Sequence, residues 1–316
     1  MFSLSRSILL TVAYSAQFGH ALSAKQIFRR LIGEVPGDVE YFLSSVQELV
    51  DRGLLQEIET KSGSVFTTPQ TEFFDFSQEL VDQKYTEIQG LLKFASKIPF
   101  VKAVVLTGSV AAGAVRSKDD IDFLIITQAN RLWISRPLIV LYGWMKGKRR
   151  SWHTEEPNSW CFNFWLEETH LALPKKRWTL YSAYELCQAK FVYLADHEKT
   201  RTSTELSFLL HNKWAFYRLP LYFSGRVVQA KNRQTHAELH AKSKKSAAVS
   251  VLSFLASPVL SPVLFLLNFM AYLIQIGYMR PHKTIEQVDL HTAFFHPRDT
   301  KKQLYLGWKR GLHVKF

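Results

Sequence analysis

The sequence predicts an α+β protein in which a small mixed β-sheet lies between a helical N-terminal module and a mainly helical C-terminal region. The chain has 316 residues, 47% of them hydrophobic, so it is long enough for two or three units that each bury a core. Apolar runs at residues 104–106 and 121–127 are typical of neighbouring strands, and the regions on either side have helical periodicity. This composition excludes a disordered or low-complexity protein.

Residues 1–70 predict three helices followed by a β-hairpin, and Ser23 and Gln26 have the spacing of a capping box at the second helix. The third helix, at residues 38–52, ends at Gly53. This order of elements resembles a winged helix-turn-helix module. The third helix would then be the recognition helix, but it carries four acidic side chains, whereas phosphate contacts need cations. We therefore expect a contact with another protein, such as a homo-oligomer interface, more than DNA binding.

The cysteines and the N-terminus both favour a cytoplasmic protein. Cys161 and Cys187 form no C-x-x-C pair, which excludes a zinc finger and a disulfide framework and favours a reducing compartment. The first apolar run is interrupted by Gln17 and His20, so residues 4–18 predict a helix and not a secretory signal.

Positive charge is concentrated in the second half of the chain. The formal net charge is +13; residues 173–279 carry 14 basic and 5 acidic side chains, and residues 280–316 carry 8 and 3. A field of this sign attracts polyanions such as nucleotides, nucleic acid or an anionic membrane surface. A solvated basic surface would have the same composition, so charge alone does not choose a partner.

The candidate chemistry follows a connecting helix that is predicted over residues 71–98 and ends at Pro99. After the first strand come a turn of small residues at 107–109, a short helix at 110–115 and the second strand. Glycine lets the backbone approach a ligand closely. The turn amides and the Ser109 hydroxyl would therefore form a seat for phosphate oxygens.

Asp120 and Asp122 lie two positions apart at the start of the second strand, so both side chains should project from the same face. Two carboxylates at this spacing repel each other unless they share a cation. A divalent ion with oxygen ligands would remove that repulsion. Solvated turn residues before a core strand would have the same sequence.

This segment resembles the nucleotidyltransferases of the DNA polymerase β superfamily. Their signature is an apolar residue, Gly and Gly or Ser, a spacer of about ten residues, and then two acidic residues that alternate with apolar ones. Here the signature reads Leu106, Gly108 and Ser109, and after ten residues Asp120, Ile121, Asp122 and Phe123, with Thr107 inserted after the leucine. The resemblance covers about residues 100–170 of a predicted core at 99–175.

The resemblance implies a nucleoside triphosphate as substrate and Mg²⁺ or Mn²⁺ as cofactor. Gly108 and Ser109 would hold the triphosphate, and the two aspartates would bind the metal ions. A nucleoside monophosphate would pass to an acceptor hydroxyl on a protein, an RNA or a small molecule, and pyrophosphate would leave. Arg116 and Lys118 would neutralise phosphate charge or, equally, be exposed loop cations.

The family usually supplies a third carboxylate from a neighbouring strand, and here the sequence departs from that pattern. The strand candidate is residues 159–166, where the central polar residue is Asn163, which can bind a metal but adds no charge. Glu167 shares the parity of Asn163 and would replace the acid if the strand extends. Weaker options are Glu168, Glu155 and Glu156. Without a third acid, the chain would be a catalytically degenerate nucleotide-binding or regulatory protein.

Residues 176–316 predict a mainly helical region, with helices over residues 179–194 and 205–223.

An apolar segment at residues 247–279 has no charged side chain over 33 positions. That length is enough to cross a bilayer. Ser261, Asn268 and Gln275 recur every seven residues and place polar groups along one stripe of a helix. We expect buried or surface-docked helices; association with a membrane through this segment stays open.

Overall fold

The computed structural model describes residues 3–149 except 34, 62, 70 and 75, and then residues 158–195, 201–241, 260–282 and 286–295. The described helices are α1 Leu4–Ala16, α2 Ala24–Arg30, α3 Val39–Asp51, α4 Gln78–Glu87, α5 Gln89–Ala95, α6 Gly108–Ala112, α7 Leu132–Met145, α8 Leu180–Gln188, α9 Arg201–His211, α10 Pro220–Ala241 and α11 Leu260–Met279. The strands are β1 Gln56–Thr60, β2 Gly63–Thr67, β3 Val101–Thr107, β4 Ile121–Thr127, β5 Trp160–Glu167, β6 Lys190–Leu194, β7 Gln287–Val288 and β8 Thr292–Phe294. The α+β class is confirmed.

The N-terminal module has the predicted order of three helices and a hairpin. The capping box forms, because the Ser23 side chain accepts a hydrogen bond from the Gln26 amide and the Gln26 side chain accepts one from the Ser23 amide. Leu22, between α1 and α2, forms an antiparallel bridge with Phe66 of β2. The resemblance to a winged helix-turn-helix stays a prediction.

The central sheet is mixed and six-stranded, in the order β6-β3-β4-β5-β8-β7. Strands β4 and β5 are parallel and are connected through a segment that contains α7, and the other pairs are antiparallel. Side chains alternate along β4: Leu124 and Ile126 belong to one core cluster, and Phe123 and Ile125 belong to the cluster on the opposite face. The fully apolar faces explain why β3 and β4 could be predicted from sequence.

Four sequence predictions about the elements need correction. The predicted helix over residues 205–223 is interrupted, because α9 ends at His211 and α10 begins only at Pro220. The connecting helix is two helices, α4 and α5, with a break at Ile88. Residues 190–194 are not the end of a helix, because α8 ends at Gln188 and the chain continues as β6 at the sheet edge. Strands β6, β7 and β8 all come from the region expected to be mainly helical. The sheet therefore extends past the predicted core boundary at residue 175.

Candidate functional site

The turn after β3 lies directly against the start of β4. Thr107 and Asp122 are partners in the antiparallel register. Gly108 has a φ of +65°, which is strained for any other residue, and a Cβ atom at this position would overlap the Asp122 carboxylate. Glycine is therefore required here for its backbone conformation and for the close approach of Asp122.

Asp120 is held by Ser159, just before β5, and Asp122 is held by Asn163, in the middle of β5. One Asp120 oxygen, Oδ1, accepts hydrogen bonds from the Ser159 amide at 3.2 Å and the Ser159 hydroxyl at 2.9 Å. The Oδ1 atom of Asp122 accepts a hydrogen bond of 2.7 Å from the Asn163 side-chain amide. Parallel pairing of β4 and β5 thus orients both acids.

A cavity of about 510 Å³ opens in front of these acids. Its volume lies within the range of small-molecule sites. It is lined by Tyr14, Ser15, Gln17, Phe18, His20, Arg30, Gly108, Ser109, Ala112, Ala114, Arg116, Asp119, Asp120, Asp122, Tyr181, Tyr184, Glu185 and Gln188. The structure therefore brings five of the predicted site residues to one cavity: the glycine-serine pair, Arg116 and the two aspartates.

The two predicted loop cations differ in position. Arg116 lines the cavity, and its guanidinium lies 4.0 Å from the centre of the Phe74 ring, a cation-π contact that fixes its direction. Lys118 is exposed and is not among the residues that line the cavity. The prediction that Lys118 belongs to the site is not supported by this position.

The side-chain orientation of Asn163 differs from the one expected of a metal ligand. Between Asp122 and Leu124 the register with β5 shifts by one residue, because Cys161 pairs with Asp122 and Phe164 pairs with Leu124. Successive residues of a regular strand point to opposite sides of the sheet. Because of this β-bulge, Asn163 and the next residue, Phe164, both lie on the side that carries Asp122. The amide group of Asn163 donates to Asp122, and its oxygen accepts from the Cys161 thiol at 2.7 Å. Asn163 is thus a positioning residue and does not present its oxygen as a ligand.

Glu167 does not lie beside the aspartates, so its prediction as third carboxylate is wrong. It pairs with Thr127 at the other end of β4, five residues or about 16 Å from Asp122. After the bulge, the side chains of β5 alternate in the opposite sense. The Glu167 side chain therefore lies on the face of the sheet that packs against α7, where its Oε1 accepts a hydrogen bond from the Leu132 amide. Glu168 forms a salt bridge of 3.4 Å with Lys102 at the same end. Glu155 and Glu156 lie outside the described residues.

Glu167 instead belongs to a cluster with two histidines. Its Oε2 lies 2.8 Å from Nδ1 of His291, and the His291 ring stacks on His170 with 4.2 Å between ring centres. Ligand atoms of the three residues lie within 4.8 Å of one another. Two parallel stacked rings direct their nitrogen lone pairs side by side and not toward a common point, which is unfavourable for a metal held by both.

The acid that sequence reasoning missed is Glu185, on α8. Its Oε2 accepts a hydrogen bond of 3.3 Å from the Gly108 amide, and the residue lines the cavity with Asp122. Burial, followed by the negative charge of Asp122, raises the pKa of Glu185 to about 8, although the Gly108 amide opposes the shift. Glu185 is the single charged residue of α8, and this lone charge in an apolar helix was the only signal that the sequence offered.

The chemistry of these donors fits Mg²⁺ or Mn²⁺, because carboxylate oxygens are the ligands that these ions prefer. Asp120 and Asp122 are held in place by hydrogen bonds from Ser159 and Asn163, and Glu185 approaches from α8. The three acids do not form a ligand group as compact as the one at Glu167, within the part of the chain that the structure describes.

Residues 88–171 match the family model of the nucleotidyltransferase domain. The match contains β3, β4, β5 and both aspartates, and it supports the nucleotidyltransferase superfamily and nucleotidyl transfer in general. Searches of curated proteins and of solved structures found no match. Glu185 and the N-terminal wall of the cavity lie outside the matched segment.

Proposed function

We propose that this protein is a metal-dependent nucleotidyltransferase, which moves a nucleoside monophosphate from a nucleoside triphosphate to an acceptor hydroxyl on a protein, an RNA or a small molecule. The observation that carries the proposal is the convergence of the Gly108 turn, Asp120, Asp122 and Glu185 on one cavity. The family match to residues 88–171 supports the same class of reaction.

In this proposal Gly108 and Ser109 contact the triphosphate, and Arg116 neutralises part of its charge from the cavity wall. Asp120, Asp122 and Glu185 would hold the Mg²⁺ or Mn²⁺ ion. When bound, such an ion stabilises the charge that develops during in-line attack on the α-phosphate. Ser159 and Asn163 keep the two aspartates in position through their hydrogen bonds.

The N-terminal module would contribute to substrate binding as a wall of the cavity. Tyr14 of α1 stacks on Tyr184 of α8, with 4.2 Å between ring centres, and the Tyr184 hydroxyl donates to the Arg30 carbonyl. These contacts join the module to the helix that carries Glu185. The exposed side of α3 carries Glu40, Glu48 and Asp51, which favours a protein contact over nucleic acid for the remainder of the module.

A second candidate is a nucleotide-binding regulator without turnover. Asn163 favours this alternative, because it stands on the strand where the third carboxylate was expected, donates its amide to Asp122 and adds no negative charge to hold a cation. Both candidates bind a nucleoside triphosphate, and they differ in whether the phosphoanhydride bond breaks.

In the deciding experiment, the full chain is incubated with Mg²⁺ or Mn²⁺ and with each nucleoside triphosphate labelled at the α-phosphate. Label transfer and pyrophosphate release are measured. The enzyme releases pyrophosphate, and the Asp120→Ala/Asp122→Ala variant does not. Nucleotide binding without pyrophosphate from the native protein supports the regulator. Equal release by the native protein and the double variant contradicts the catalytic assignment.

A further inference from the structure

Helix α11 has an outer face that consists of apolar side chains. These are Val263, Leu266, Leu267, Met270, Ile274 and Tyr278, which are 48–68% exposed. Their spacing places them on one side of the helix over about 22 Å of its length. A water-soluble protein rarely exposes a continuous apolar face of this kind unless something covers it.

Asn268 and Gln275, the two amide side chains of α11, face the protein, which is the reverse of an ordinary surface helix. Asn268 is fully buried, and its Oδ1 accepts hydrogen bonds from the Trp133 and Ile134 amides at the start of α7, at 2.8 and 3.3 Å. Gln275 donates to the Trp133 carbonyl and accepts from Arg136, each at 2.7 Å. These bonds fix the orientation of α11, so the apolar face cannot turn inward without leaving buried polar groups unsatisfied.

Two ordinary explanations for an apolar helix of this length do not apply. By length and composition α11 could cross a membrane, with a mean hydropathy of 1.7 over its most apolar window. A core helix of a soluble protein passes the same test, but only 6% of this window is buried. A signal sequence also passes it, but α11 lies far from the N-terminus.

We propose that the outer face of α11 docks on an anionic lipid bilayer, with the helix lying along the membrane surface. The contact with α7 through Asn268 and Gln275 occupies one side of α11 and leaves the other side for the acyl chains. A spanning orientation would carry α7 and the charged Arg136 into the hydrocarbon layer, which is costly. An amphipathic element in the interface has no such cost.

The chemistry around α11 favours anionic lipid over a second copy of the chain. Arg280 is exposed at the end of α11, two residues after Tyr278, which is 67% exposed on the outer face. Cations and aromatic rings beside an apolar face are typical of membrane interfaces. A symmetric dimer through the same face would bring together two chains of net charge +13.

The test is flotation of the full chain with vesicles of phosphatidylcholine and phosphatidylglycerol in equal parts, and with phosphatidylcholine alone. We expect the native protein to float with the anionic vesicles and less with the neutral ones. Leu266→Asp/Ile274→Asp should lower the partition coefficient at least about 100-fold, because two apolar anchors are lost. Val39→Asp/Leu43→Asp, which makes the same kind of change on exposed positions of α3, should leave it within about twofold.

Far-UV circular dichroism and nucleotide affinity establish that both double variants are folded. Flotation itself does not depend on nucleotidyl transfer. Absence of native flotation, or equal loss in both variants, overturns the proposal. So does unfolding of the α11 variant alone, since the face would then be covered by the chain itself. Sedimentation without vesicles covers the remaining case: a native dimer that becomes a monomer in the α11 variant assigns the face to a second copy and overturns lipid docking.

Discussion

The two ends of the parallel strands β4 and β5 both carry carboxylates, but these are used differently. At one end, Asp120 and Asp122 line a cavity of about 510 Å³ together with Glu185. At the other end, Glu167 is fully buried, and its two oxygens accept hydrogen bonds from the Leu132 amide and from His291. A carboxylate that faces accessible volume can bind a ligand, whereas one whose oxygens are occupied by the fold stabilises the fold.

The largest expected difference between the two ends is in activity. Asp122→Asn should lower the rate of nucleotidyl transfer by on the order of 10³-fold, about 4 kcal/mol of transition-state stabilisation, because the amide cannot neutralise a metal ion. Glu167→Gln makes the same chemical change at the other end of the strands and should leave the rate of the folded protein within a few-fold. Pyrophosphate release measures both. A Glu167 variant that loses as much activity would remove the distinction.

The reverse difference should appear in stability. Glu167→Ala leaves a buried amide and His291 without their partner, so the free energy of unfolding should fall by about 3 kcal/mol. The control is Glu48→Ala, which removes an exposed pair with Arg52 and should cost less than about 0.5 kcal/mol. Urea denaturation followed by circular dichroism gives both values. Equal losses would mean that Glu167 is no more structural than a surface acid.

Glu185, on the cavity side, should affect activity more than stability. Glu185→Gln keeps an acceptor for the Gly108 amide and removes the repulsion with Asp122, so the free energy of unfolding should change by less than about 1 kcal/mol. Transfer should nevertheless fall by on the order of 10²-fold, because a neutral amide is a weaker cation ligand. Full activity with unchanged affinity for Mn²⁺ would remove Glu185 from the site.

The histidine on the cavity side gives the smallest expected effect. Burial and then the nearby Arg30 lower the pKa of His20 from 6.5 to about 4. Between these values the unfolded chain binds the proton and the folded chain does not, so stability falls as pH decreases through this window. His20→Gln should reduce the loss of unfolding free energy between about pH 7 and about pH 5 by up to about 2 kcal/mol. Urea titrations at both pH values test this; identical pH dependence in variant and native protein contradicts it.

Much of the core could be predicted from residue patterns. The uniformly apolar faces of β3 and β4 and the glycine-serine turn depend on local sequence, and the observed strand Ile121–Thr127 has the predicted bounds. The prediction of Glu167 failed because it assumed a regular strand, and a bulge depends on how two strands pair. Glu185 could not be assigned because it is far from the motif in sequence and reaches Gly108 only through packing of α8.

The sequence by itself determined the α+β class, the order of elements around the site and the pair of aspartates beside the glycine turn, because these follow from periodicity and from spacing along one strand. The tertiary structure decided which third acid faces the cavity and which side of α11 faces outward. Both depend on long-range contacts, Gly108 with Glu185 and Asn268 with the start of α7, and a residue pattern does not contain the geometry of such contacts.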